Sequence, residues 1–294
     1  MTTVSTEVHP PGESGSFSSG LSVADFAACL DMGLEPVGLA QGYCVMQSQQ
    51  GLSPMQVGFG MSPYQPAPND YVENYHCPHG IVSTEHRMWG QNYQQAWIER
   101  TWRQGFSSAY KRMLDEATRM GAHGVIGVVD NVTPLAQEGI VEFRILGTAV
   151  RVSGHSSNAA PWTTYLAGQR LAKSFEAGFA PLNIVTAISS VRVWASCITQ
   201  YVMEGTGAML YGQSNDSIEI EQIVSARAAA RELLRQSVKA QLHGDQLHSV
   251  ELVLREHEFG HGDLEIQPVL RGNRVRRYKD FDAFTTPRPT VRLT

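Results

Sequence analysis

Cysteine is scarce in this chain: Cys29, Cys44, Cys77 and Cys197 are the four in 294 residues, widely separated and without a Cys-x-x-Cys pair. That usage excludes a disulfide scaffold and fits a reducing cytoplasm. Charge is sparse as well, at 17% of residues against 42% hydrophobic. Such a balance excludes a disordered polymer and leaves enough apolar side chain for a core. The net charge of −5 holds no basic excess to attract nucleic acid or an anionic membrane. Long uninterrupted apolar runs are missing. The most apolar stretch, PLNIVTAISSVRVWASCITQYVM at 181–203, carries Arg192 at its centre and many β-branched residues. It reads as buried strands and not as a membrane span. The first twenty residues lack the basic segment and apolar run of a secretory leader. Walker, Gly-x-Ser-x-Gly and His-Glu-x-x-His motifs are absent, and the Gly-x-Gly triplets at 58–60 and 205–207 lack a strand–loop–helix context.

What the chain does contain, it contains twice. FAACLDMGLEPVGLAQGYCVM at 26–46 aligns without gaps on LAKSFEAGFAPLNIVTAISSV at 171–191, placing Ala27, Gly33 and Pro36 on Ala172, Gly178 and Pro181. A short helix, a glycine turn and an apolar strand explain that pattern. Downstream, Ile98, Trp102, Phe106, Ala109, Met113, Ala117 and Met120 recur at spacings of three and four. They predict one apolar face of a helix of about 30 residues, capped by Asn92 with Gln95. Gly105 within that helix implies close approach by another backbone. Ile220, Ile223, Ala230, Leu234 and Val238 draw the matching face in the second half, with a cap at Asp216 and Glu219. Strands follow each helix, and Gly139, Glu142 and Gly147 align with Gly262, Glu265 and Gly272.

The expected organisation is a disordered tail at 1–20, a first unit at 21–153 with a long insertion at 47–91, and a linker at 154–164. A diverged second unit then covers 165–278, and a polar tail 279–294. The fold class is α+β, each unit a long helix packed on an antiparallel sheet.

The stretch AYKRMLDEATRMGAHGVIGVV with GIVEFRILGTAV resembles the YbjQ-like family, described as heavy-metal-binding domains. Arg112, Met113, Glu116, Ala117, Gly121, Ala122, Val125, Gly127, Glu142, Gly147, Thr148, Ala149 and Val150 carry the match. Gly124 follows as a strand-entry residue, and His123 stands where the family pattern has Asn. The resemblance implies dodecin-like α+β units that close into rings as homo-oligomers, and it implies no reaction. The second unit departs from it, reading Gly272, Asn273, Arg274, Val275 in place of Gly-Thr-Ala-Val.

Candidate chemistry concentrates in HCPHGIVSTEH, with His76, Cys77, His79 and His86. Imidazole and thiolate together suit zinc or copper. The adjacent His76 and Cys77 fit no known zinc module, and Tyr75, Trp89 and Tyr93 suit a packing role for the same loop. His257 with His261, and His243 with His248, read as solvated turn residues. Within the loop 47–91, the segment 47–75 is rich in Gly, Pro, Met, Gln and aromatics, and stands as either a partner-binding or pore-lining loop or a plain insertion. The resulting expectation is a non-enzymatic, ring-forming cytoplasmic protein of that metal-binding family. The competing expectation is a metal-dependent enzyme or redox factor built on the His76–His86 loop.

Overall fold

The computed structural model describes residues 18–47, 89–135, 140–154, 159–203, 218–260 and 262–279. Ser22 opens helix α1, Val23–Asp31, by accepting from the Asp25 amide, and Gly33 turns the chain into strand β1, Leu34–Gln47. A short strand β2, Asn92–Gln94, precedes the long helix α2, Ala96–Arg119. Gly121, at φ +66°, stops that helix, and the hairpin β3, Gly124–Pro134, with β4, Ile140–Val152, completes the first half.

The second half runs through β5, Trp162–Thr163, α3, Gly168–Glu176, β6, Phe179–Ile188, and β7, Val191–Val193. A short helix α4, Cys197–Met203, the long helix α5, Glu221–Leu242, and the hairpin β8, Gln246–Glu258, with β9, Leu264–Arg277, follow. Two sheets result. The first has the order β1-β4-β3-β5; in the second, β9 lies between β8 on one side and β6 and β7 on the other, and β2 pairs with β7. All pairings are antiparallel except the short β3–β5 contact.

Several local features recur along the chain. The β1–β4 register shifts between Pro36 and Gly38, and the β6–β9 register between Pro181 and Asn183. The β3–β4 ladder shifts between Ile126 and Val129, and the β8–β9 ladder between His248 and Glu251. Ser153 N–H bonds to Gly33 C=O, as Tyr278 N–H does to Gly178 C=O. Gly20 N–H donates to Thr148 Oγ1, and Tyr165 N–H, at the corresponding place, donates to Asn273 Oδ1.

Alternation along the strands lets the second sheet serve two cores. Ile184, Ile188 and Val269 join Trp102, Phe106, Ala109, Met113 and Ala117 of α2, together with Ala40, Cys44, Phe143 and Ile145 of the first sheet. On the opposite face, Val185 and Ala187 pack with Leu234 and Val238 of α5. The helix α2 therefore contributes to a core shared by both sheets, with Trp102 and Phe106 stacked at 5.3 Å and Phe143 edge-on to Trp102 at 6.2 Å. Helices α1 and α3 cover the opposite face of the first sheet, where Cys29 and Leu171 meet Leu34, Ile126 and Val150.

Several expectations need correction. Asn92 does not cap the helix: it lies in β2, Gln95 is the N-cap without a side-chain cap bond, and α2 has 24 residues. Pairing of β2 with β7 accounts for this, since the strand claims Asn92–Gln94. Ile220, also without a side-chain bond, caps α5, and Asp216 lies outside the described residues. At Gly105 the neighbour is a ring and not a backbone, because an added Cβ would sit 2.3 Å from Phe143. The backbone approach occurs at Gly42, where a Cβ would sit 1.9 Å from Ala109 O. The end of the apolar stretch, Cys197–Met203, is helical.

Candidate functional site

A β-sheet that ends in solvent exposes unpaired N–H and C=O groups, and folded chains cover such edges. Three of the four long outer edges here are bonded over part of their length. On β1, Glu116 accepts from Gln41 N–H at 2.6 Å and Arg112 donates to Tyr43 C=O. These two residues stand one turn apart on α2, so one helix face satisfies both groups of the edge. On β3, the parallel β5 pairs the first residues, and Gly127 and Val128 donate to Leu166 and Thr164 carbonyls. On the β6 side, Gln241 donates to Thr186 C=O at 3.0 Å and β2 covers β7.

The fourth edge, β8, differs over 250–258. Among the described residues no strand or side chain bonds its outer edge over 250–258. It is exposed along nearly its whole length, with Val250, Leu252 and Leu254 at 51%, 55% and 50%. Leu252 and Leu254 lie opposite Leu270 and Pro268, and Leu270 packs with the α5 cluster, so both leucines share the helix-side face. Glu256, on the same face, takes two hydrogen bonds from Arg227 of α5.

Between the halves runs a polar seam. Asn273, fully buried, accepts from Thr164 Oγ1 at 2.8 Å and from Tyr165 N at 2.7 Å. Thr163 Oγ1 bonds to Tyr110 OH and accepts from Ile184 N at 2.9 Å. Burial, and then the charge of Asp130, push the Tyr165 phenol far above its ordinary value, so it stays neutral. Farther along, Glu99 accepts from Gln94 Nε2 at 2.7 Å and Ser190 N at 3.1 Å, while Ser190 donates to Gln95 Oε1 at 2.7 Å. Gln267 links Ser190 to Glu265. Burial raises the Glu265 carboxyl against the opposing Gln95 hydrogen bond and the charges of Arg192 and His257. Arg192 in turn lies over the Phe259 ring at 3.6 Å and that of Trp194 at 5.0 Å. Both Glu99 oxygens accept from N–H donors, an arrangement that holds a joint together.

The sequence candidates fall in different places. His76, Cys77, His79 and His86 lie outside the described residues, as does most of 47–91. Among the described residues no three His, Cys, Asp or Glu side chains gather where a metal could sit. His123 Nδ1 accepts from Val152 N at 2.9 Å and its backbone bonds to Val150 and Trp162, tying the turn to β4 and β5. Met113 is fully buried. Gly124 lies beneath Trp162 and Gly147 beneath Val125. Glu142 lies opposite Val45 and Thr133 on β4, away from Arg112 and Glu116. The registers set Leu39 opposite Thr148 and Ile184 opposite Asn273, and Glu265 lies opposite Arg192 and His257. The outer edge of β8 and the seam residues Glu99, Asp130, Arg271 and Asn273 went unrecognised in the sequence. The Asn at 273, where the first half has Thr148, was the one available signal.

No family model matches the chain. A curated protein of Mycobacterium tuberculosis, named encapsulin nanocompartment protein, is 26% identical over 239 residues, covering 78% of this chain and 74% of its own length. The YbjQ-like assignment is thereby overturned: nothing in either comparison points to a heavy-metal-binding domain. The residues that suggested it have packing reasons that any helix-to-strand unit shares. Gly121 ends α2 in the left-handed region, and a Cβ at Gly147 would meet Val125 at 2.6 Å.

Proposed function

We propose that this chain is a non-enzymatic structural component of a protein-walled compartment, built by association of many copies of itself. The resemblance to a nanocompartment protein across most of both lengths supports an assembly role. The observation that carries it in the structure is β8, whose outer edge over 250–258 no strand or side chain among the described residues bonds, whereas the other long edges carry such bonds at several positions. A monomer would leave that edge open to uncontrolled pairing, whereas a partner strand satisfies it. The seam carboxylates have hydrogen-bonding roles that suit a joint better than acid–base work.

The matching bulges, glycine turns and cap bonds further support an internal duplication, which would let one chain present two related surfaces to a closed ring. Buried Cys29, Cys44 and Cys197, in a chain with few cysteines, suit a reducing cytoplasm. Among the described residues no helix is long and apolar enough to cross a membrane.

Light scattering and negative-stain microscopy of the purified chain test the reading. A closed particle or ring of defined subunit number is expected. A stable monomer of 32.3 kDa at micromolar concentration would overturn it.

A further inference from the structure

We propose that two copies of this chain join through β8, edge to edge and antiparallel, about a two-fold axis passing at Val253. This interface rests on the assembly reading above and specifies one contact within it. The pairing makes one continuous sheet across both subunits, with β8 beside β8 of the partner subunit.

The segment that offers itself is regular and open. The bulge after His248, with Ser249 at φ +50°, ends the irregular part of the strand and leaves 250–258 extended. Bulges commonly blunt an edge, but this one lies at the strand's beginning and blunts nothing beyond it.

The side chains of this segment are complementary to themselves. With Val253 on the axis, Glu251 stands opposite Arg255 of the partner subunit, and Arg255 opposite the partner's Glu251. Leu252 stands opposite the partner's Leu254, and Leu254 opposite the partner's Leu252. Such directly opposed pairs are the unit of stabilisation between strands. The faces agree as well. Leu252 and Leu254 share the α5 side, so the four leucines close into one apolar patch between the two α5 helices. Glu251 and Arg255 lie on the other side, where Glu251 is opposite Arg271, so the two ion pairs form away from the leucines.

Other registers lose these matches. A slip of one residue sets side chains of opposite faces against each other, which a continuing sheet forbids. A slip of two in one direction puts Leu252 opposite Glu256 and Val253 opposite Arg255; in the other it puts Glu251 opposite Val253. Only the register centred on Val253 pairs both leucines and both charges. A second copy of this chain is therefore the partner that the edge fits, in the isologous manner of a two-fold interface.

Two experiments on the full-length chain decide it. Arg255→Glu sets two carboxylates against each other at each end and is expected to weaken the β8 contact at least tenfold by sedimentation equilibrium. Glu251→Arg with Arg255→Glu restores opposite charges and is expected to recover most of that loss. Independently, Val253→Cys in a Cys77→Ser background places a thiol opposite itself. Mild oxidation is expected to give a covalent dimer on a non-reducing gel. Assembly that persists with unchanged affinity in Arg255→Glu, or a Val253→Cys protein that assembles without cross-linking, overturns this interface and leaves the assembly reading intact. A monomeric parent protein overturns both.

Discussion

Arg271 and Asp130 bind the two halves of the molecule to each other: Arg271 Nε lies 2.8 and 2.9 Å from the two Asp130 oxygens, with side-chain exposures of 18% and 2%. Asp130 comes from β3 of the first sheet and Arg271 from β9 of the second, so the pair reports directly on how the sheets meet. Tyr165 of the connecting segment lies beside both.

Removing one partner of such a pair strands the other charge in a water-poor place. Asp130→Ala is expected to cost about 3 kcal/mol, the range for a broken buried pair. Replacing both, as in Asp130→Leu with Arg271→Met, is expected to recover most of that loss. Urea unfolding with the midpoint and slope compared across the three proteins checks it, and equal destabilisation in the single and double variants would refute the account.

Glu265 predicts a pH signature. Its native carboxyl titrates above the ordinary 4.5 because it is buried, so the folded state holds a proton that the unfolded chain has already released. Stability from this group therefore falls as pH rises from 4.5 through the raised native value, then levels off. Glu265→Gln removes that dependence. The gap in melting temperature between variant and parent is expected to widen in the variant's favour as pH climbs through the window. A gap that stays constant with pH would count against it.

Gly42 tests the seat of α2 on β1. A methyl group there meets Ala109 O at 1.9 Å and Met113 N at 2.7 Å, both backbone atoms that cannot rotate aside. Gly42→Ala is expected to cost about 1–3 kcal/mol, the usual range for overpacking. Differential scanning calorimetry would show the loss, and an unchanged melting temperature would mean that α2 does not lie where described.

Arg112 and Glu116 predict a change in behaviour more than in stability. Both hydrogen bonds to the β1 backbone are exposed, so their loss is expected to cost only about 1 kcal/mol. Uncovering Gln41 N–H and Tyr43 C=O gives the chain a second open edge. The double variant Arg112→Ala, Glu116→Ala is expected to form larger, heterogeneous particles by light scattering, where the parent gives a single size.

Local periodicity was readable because helices and strands must place apolar side chains on one face. The spacing from Trp102 to Ala117 and the strands at 124–134, 140–152, 246–258 and 264–277 follow from it. Glycine stops at Gly33, Gly121 and Gly178 follow from their left-handed backbone. Capping was less legible: Asn92 has the chemistry of a cap, yet pairing with Val193 draws it into a strand. The seam was hidden because Glu99, Asp130, Arg271 and Asn273 find their partners across 91, 141, 141 and 109 positions of chain.

The sequence by itself determined the local pieces, because propensity, turn chemistry and side-chain spacing act within a few residues. It also carried the self-complementary order Glu251-Leu252-Val253-Leu254-Arg255, though nothing local marks that order as an interface. The tertiary structure alone decided which edge of each sheet stays open. Strand order, and the reach of Glu116, Arg112 and Gln241 onto distant backbones, leave 250–258 of β8 without an outer-edge bond among the described residues. An edge is a property of what lies beside a strand in space, which no window of sequence contains.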